Sequence, residues 1–210
     1  GKDLLNGKRF DKGGYILTYD YDKWSFIDPK EAQKKLNLPR NPRDYTSIAV
    51  TTDDSNDEIV YASSMGDGVI QYKNGTPVQS YNEKNAFKET AGGYGSGYCY
   101  IDGLAFDKNG NLWMTSSEVN HAVLVLDKAG AWHRLDIEQL RGVYTINDIL
   151  ITSTNDKWIY VPRNTPKLVM IPNSESLDEV SSYEFTTLID TDGKELTPSN
   201  YTCVAEDKDG

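Results

Sequence analysis

Ile101-Asp102-Gly103-Leu104-Ala105-Phe106-Asp107-Lys108-Asn109-Gly110-Asn111-Leu112-Trp113-Met114-Thr115 reads as a strand, a tight turn and a returning strand. Apolar residues lead into Asp107-Lys108-Asn109-Gly110, and Leu112-Trp113-Met114-Thr115 comes back from it. Asn-Gly between two apolar, β-prone runs is the strongest short-range hairpin signal, and the expected turn has φ > 0 at both Asn109 and Gly110.

Outward from this stretch the pattern repeats. Val123-Leu124-Val125-Leu126 and Trp132-His133-Arg134-Leu135 supply two further strands across an Asp127-Lys128-Ala129-Gly130 turn. The preceding unit starts at Tyr45, with strands at 47–50, 59–62, 69–72 and 78–81 joined through Asp53–Asp57, Gly66-Asp67-Gly68 and Asn74-Gly75. The following unit has strands at 149–151, 158–161, 168–171 and 183–185, and 201–210 begins another copy. Equivalent apolar residues Ile48, Leu104, Ile149 and Val204 lie 56, 45 and 55 positions apart. Four short strands per period of this size belong to propellers. A second register agrees: Trp24-x-x-Ile27-Asp28 recurs as Trp132-x-x-Leu135-Asp136.

The expected fold is all-β: a β-propeller or a segment of one, with about four blades of four antiparallel strands. The blades fall at 1–44, 45–99, 100–143 and 144–200, and 201–210 begins the next blade or closes the first. The first unit opens with a short candidate strand at Asp3-Leu4-Leu5-Asn6, then Tyr15–Tyr19 and Trp24–Ile27. Asp28, Pro29 and Glu31 form a helix start, and Asn37, Pro39 and Pro42 keep that helix brief. Asp136 with Gln139 repeats the capping pattern before Gly142. Sixteen strands would close a four-blade ring by pairing the last with the first. A segment of a longer ring is the other arrangement, and its open edges would favour a homodimer.

The chain has 210 residues and a net charge of −10, with a mean hydropathy of −0.60. That acidity argues against nucleic acid, which needs a basic footprint. No run of about 18 apolar residues is present, so nothing in this segment is expected to span a membrane. Gly1 reads as a residue left by tag removal, so a missing leader carries no weight. Cys99 and Cys203 are expected to be buried free thiols, since neither disulfide nor zinc spacing is present.

With the repeats in view, Gly103 to Thr115 resembles the two-component regulator propeller repeat. That repeat runs apolar-x-x-apolar-x-x-Asp-x-x-Gly-x-apolar-Trp-apolar-Gly-Thr, and Val204 to Gly210 matches its first half. Met114-Thr115 departs from it, lacking the glycine before the threonine. The run Phe185 to Gly210, with Asp190-Thr191-Asp192-Gly193-Lys194 and Pro198, is similar to propellers of periplasmic and surface proteins linked to type IX secretion. The resemblance implies a non-enzymatic ligand- or protein-binding module in the periplasm or outside the cell, first of all the sensing region of a two-component regulator. A secretion-associated structural propeller is the alternative, and a lactonase- or lyase-type propeller enzyme is another. Kinase, receiver and DNA-binding parts are not in this sequence, so no phosphotransfer activity carries over.

Chemistry-bearing constellations are few. Asp107 to Gly110 and Asp207 to Gly210 faintly resemble a calcium loop, but the intervening residues are strand-formers and the hairpin reading is preferred. His121 and His133 have no carboxylate at ligand spacing on a helix, so no metal, catalytic residue or cofactor is expected. Gly92-Gly93-Tyr94-Gly95-Ser96-Gly97 lacks the Lys-Ser/Thr and following helix of a phosphate loop, and a nucleophile elbow would need glycine at 94, which is Tyr. Tyr94, Tyr98 and Tyr100 beside it are the candidate ligand-binding residues, because exposed aromatics on such a loop could stack on an oligosaccharide or a protein partner. Trp24, Trp113, Trp132 and Trp158 sit at strand positions and are expected in the core between blades.

Overall fold

A computed structural model of the chain describes residues 14–92, 97–163, 165–174 and 176–208. The architecture is all-β apart from one short helix and one 3-10 turn. The chain divides between Ile101 and Asp102 into two compact units. No helix among the described residues is long and apolar enough to cross a membrane.

The first unit opens with a hairpin of β1 (Ile16–Asp20) and β2 (Lys23–Ile27), followed by helix α1 (Pro29–Leu36). The Asp28 carboxylate accepts from the Lys30 amide at 2.9 Å, and Asn37 ends the helix in the left-handed region. A four-stranded antiparallel meander then forms from β3 (Tyr45–Thr52), β4 (Glu58–Gly66), β5 (Gly68–Lys73) and β6 (Thr76–Tyr81). Ile16 and Ala32 pack with Val60, Ala62, Ile70 and Tyr72, so hairpin and helix lie on one face of this sheet. The opening residues of β7 (Cys99–Phe106) pair with the end of β4, Tyr100 with Met65 and Cys99 with Gly66. This short ladder, within the first unit, is one that the blade pattern does not anticipate. Gly66 at φ +125° turns the chain where it occurs.

In the second unit, the rest of β7 continues with β8 (Leu112–Ser116), β9 (Val123–Leu126) and β10 (Trp132–Leu135). A second meander contains β11 (Ile149–Ile151), β12 (Lys157–Val161), β13 (Lys167–Ile171) and β14 (Tyr183–Phe185). A small hairpin of β15 (Leu188–Ile189) and β16 (Glu195–Leu196) follows. Trp113, Val123 and Val125 meet Ile149, Ile159, Val169 and Ile171 between the two meanders, and Tyr160, Leu168 and Tyr201 form a smaller cluster in the same unit. Burying each such side chain is worth about 1.5–3 kcal/mol. Thr115 bridges the sheets: its hydroxyl accepts from the Gly103 amide at 2.9 Å and donates to the Asn147 carbonyl at 2.8 Å. A Cβ on Gly103 would meet the Ile149 amide nitrogen at 2.7 Å, so only glycine permits that approach.

Five turns share one geometry. At Asp53, Asp107, Asp127, Thr152 and Asp190 the amide donates to the carbonyl four residues on, and the amide three residues on returns to the first carbonyl. The fourth position is left-handed each time, at Asn56, Gly110, Gly130, Asn155 and Gly193. Gly110 is therefore left-handed but Asn109 is not, because the Asp107 side chain shapes a longer loop than a two-residue hairpin. Asn74-Gly75, with φ of 47° and 73°, is the two-residue turn.

Other expectations change. Trp113 is buried as anticipated, whereas Trp24 is 70% exposed, because among the described residues no sheet packs on the face of β2 that carries it. Asp136 caps no helix: it pairs with Arg141 at 2.6 Å, and only a 3-10 turn (Glu138–Leu140) forms. Cys99 is buried and Cys203 exposed, both free. Residues 201–208 form no strand. The candidate strand at 3–6 lies outside the described residues.

Candidate functional site

In the first unit, the end of β4, the loop after α1 and the turn after β6 enclose a cleft of about 230 Å³. Its wall includes Arg40, Asp67, Asn82, Glu83, Lys84 and Tyr98. Two glycines put Asp67 there. Gly66 and Gly68 both have positive φ, and a Cβ on Gly68 would lie 2.1 Å from the Tyr81 carbonyl oxygen. The chain crosses from β4 to β5 in one residue and leaves Asp67 at the crossing.

Asp67 is held on all sides. Arg40 donates Nε to Oδ1 at 2.7 Å, and its Nη2 lies 2.7 Å from the same oxygen. The Arg43 amide donates to Oδ2 at 3.2 Å. Ser64 Oγ accepts from the Asp67 amide at 3.3 Å and donates to the Arg43 carbonyl at 2.6 Å. The carboxylate is mostly buried while Arg40 stays half exposed, so the guanidinium keeps donors free to face the cleft. Across from it, the turn after β6 is fixed by the Asn82 side chain, which accepts from the Lys84 amide at 3.0 Å. The Asn82 carbonyl accepts from the Ala86 and Phe87 amides. Glu83, on that turn, lies against Gly97, where a Cβ would be 3.1 Å from Oε1 and φ is +87°.

Tyr98 supplies the aromatic wall. Its hydroxyl donates to the Met65 carbonyl at 3.3 Å, and its ring occupies the space that a Cβ on Gly66 would need, 2.8 Å from Cε2. Tyr100 stands edge-to-face to it, centroids 6.4 Å apart, and is buried. Of the three tyrosines singled out by sequence, Tyr98 thus lines the cleft, Tyr100 packs beneath it and Tyr94 lies outside the described residues. Between them Cys99 is buried, and burial together with the nearby Glu83 charge pushes its thiol up to about 12, so it stays protonated at neutral pH.

Sequence reasoning does not single out Arg40, Asp67 or Glu83. The available signal is Gly66-Asp67-Gly68, an aspartate between two glycines, whose plain reading is a turn. The Asp107 loop, by contrast, is closed to cations. Oδ1 accepts from the Asn109 and Asn111 amides, and Oδ2 from Asn111 Nδ2 and Trp113 Nε1, each at 2.9 Å. Among the described residues there is no group of three His, Cys, Asp or Glu side chains able to hold a metal ion. His133 sits between Asp127 at 3.0 Å and Asp178 at 3.2 Å, in the second unit.

No protein-family model matches the chain, and no curated protein matches it in sequence. Among solved structures, its fold is similar to that of PorZ, an essential bacterial surface component of the type-IX secretion system of Porphyromonas gingivalis, with a TM-score of 0.75 and 19% identity. The likeness covers 89% of this chain and 26% of PorZ, so the chain spans about a quarter of that protein's length. A weaker likeness, TM-score 0.41 and 17% identity, is to the extracellular domain of BT3049 from B. thetaiotaomicron, assigned to a hybrid two-component system; it covers 63% of this chain and 16% of that one. PorZ is of the type-IX secretion kind that the sequence resemblance names.

Proposed function

We propose that the chain is a β-propeller segment whose blades include 45–99, 100–143 and 144–200, acting outside the cytoplasm as a binding module without catalytic activity. The Tyr98 cleft is its ligand site, and the ligand class is a hydroxyl-rich oligosaccharide. The observation that carries this reading is the convergence, in one cleft of about 230 Å³, of an aromatic ring, a half-exposed guanidinium and a carboxylate. Sugars are bound by that combination: an apolar ring face against the C–H side of the sugar and charged groups against its hydroxyls. A binding role suits the local chemistry better than catalysis, because Asp67 is engaged by Arg40 and the Arg43 amide, and the Cys99 thiol is protonated.

The test is thermal shift and calorimetry against a panel of neutral and acidic oligosaccharides. A binding sugar raises the melting temperature; Glu83→Gln weakens its binding at least tenfold while leaving the free protein's melting unchanged, and Arg40→Gln weakens it likewise but lowers the melting temperature, because the mostly buried Asp67 carboxylate loses its partner. A panel without any shift, or binding indifferent to both variants, contradicts the reading. A second reading, a structural segment of secretion machinery, is supported by the fold likeness to PorZ. It predicts no response to sugars and retention of a protein partner by both cleft variants.

A further inference from the structure

The β1–β2 hairpin carries most of its apolar side chains on the face turned away from its unit's core. Ile16 opposite Ile27 faces the core of its own unit. On the other face Leu17 stands opposite Phe26 and Tyr19 opposite Trp24, with the Tyr15 ring against Phe26 at 5.6 Å, and all five side chains are more than half exposed. Tyr21 at the hairpin tip is 93% exposed. With aromatic side chains presenting about 150–250 Å² each, the open part of this face is on the order of 700 Å². That exceeds the roughly 300–600 Å² of the largest patch on a typical monomer.

Three occupants can be compared. A flat polysaccharide needs coplanar rings, but Tyr19 and Trp24 are inclined at 45° and Tyr15 and Phe26 at 76°. A bilayer would be met first by Asp20 and Asp22 beside Tyr21, on a chain of net charge −10 that anionic headgroups repel. A second copy of this chain offers the same curved apolar face. Two such faces bury on the order of 1,400 Å², within the range of about 1,200–2,000 Å² for a stable interface. The strand positions of this face, Leu17, Tyr19, Trp24 and Phe26, carry no charge, so a two-fold brings two copies together without setting like charges against each other.

We propose that this hairpin face is an interface that pairs two copies of the chain about a two-fold axis. It is the sheet face that associates, not a strand edge, and the pairing is independent of the Tyr98 cleft. Sedimentation velocity across the micromolar range tests it. The wild-type chain passes reversibly from monomer to dimer and stops there. Trp24→Ser with Phe26→Ser, checked for folding by circular dichroism, weakens the dimer at least tenfold; Leu17→Thr gives the same direction should the double variant fold poorly. In a Cys203→Ser background, Tyr21→Cys forms a disulfide-linked dimer under mild oxidation. A monomer throughout, open-ended association, a dimer unaffected by all these variants, or flotation with phosphatidylcholine–phosphatidylglycerol vesicles that needs the same residues would each overturn the proposal.

Discussion

Two hairpins with similar sequences meet different fates. In β7–β8 and the Asp107 turn between them, Trp113 is 1% exposed, its Nε1 bonded to Asp107 and the Lys157 ammonium 4.6 Å from its ring centroid. In β1–β2, Trp24 is open to solvent and its ring meets that of Tyr19 across the ladder. Both tryptophans sit one strand-residue beyond a turn, and both belong to alternating apolar runs. The difference is that a second meander lies on Trp113 in its unit, and among the described residues no sheet lies on Trp24. A strand's composition says that it can be buried; only a neighbouring sheet buries it.

Substitutions sharpen that contrast. Trp113→Ala is expected to lower stability by about 3–5 kcal/mol in denaturant unfolding, while Trp24→Ala at dilutions where the chain is monomeric changes it by no more than about 0.5 kcal/mol. Comparable losses at the two sites would break the comparison. Next comes Asp107→Ala, which strands the Trp113 indole N–H and two amides and should remove about 1–3 kcal/mol; the corresponding Asp190→Ala, on an exposed turn, should do far less.

Two smaller effects depend on pH. Burial holds the Lys157 ammonium below its ordinary range. Between that lowered value and 10.5 the unfolded chain binds more protons, so stability should rise with pH through that window. Lys157→Met abolishes the rise and is at least as stable as wild type at pH 7. The hydrogen bond that His133 donates to Asp127, with Asp178 on the other nitrogen, raises His133. Its contribution is complete below 6.5 and lost as pH climbs through the raised value, a slope that His133→Gln removes in melting curves.

What the sequence disclosed follows from range. Strands of three meanders, helix α1 and its cap at Asp28 are written in local alternation and turn residues, and they stand where expected. The Asp107 turn is misjudged in detail because Asn109-Gly110 looks like a two-residue hairpin until the aspartate two places earlier is seen to accept two amides. Trp24 is misplaced because exposure depends on a partner sheet that no local pattern contains. Of the site, Tyr98 is legible as an aromatic beside a glycine-rich loop. Asp67 and Arg40 are not, since they are 27 residues apart and meet only because two left-handed glycines turn the chain between β4 and β5. The β15–β16 hairpin is likewise unannounced: two residues per strand are too few for a periodic signal.

Native-state hydrogen exchange at monomeric dilution examines most directly whether a covering sheet, and not strand composition, fixes these regions. Amides of β8, β9, β12 and β13 should exchange only through global unfolding, and those of β1 and β2 by local opening at a free energy several kcal/mol smaller. Equal protection of the hairpin and the second unit's core strands would contradict the account.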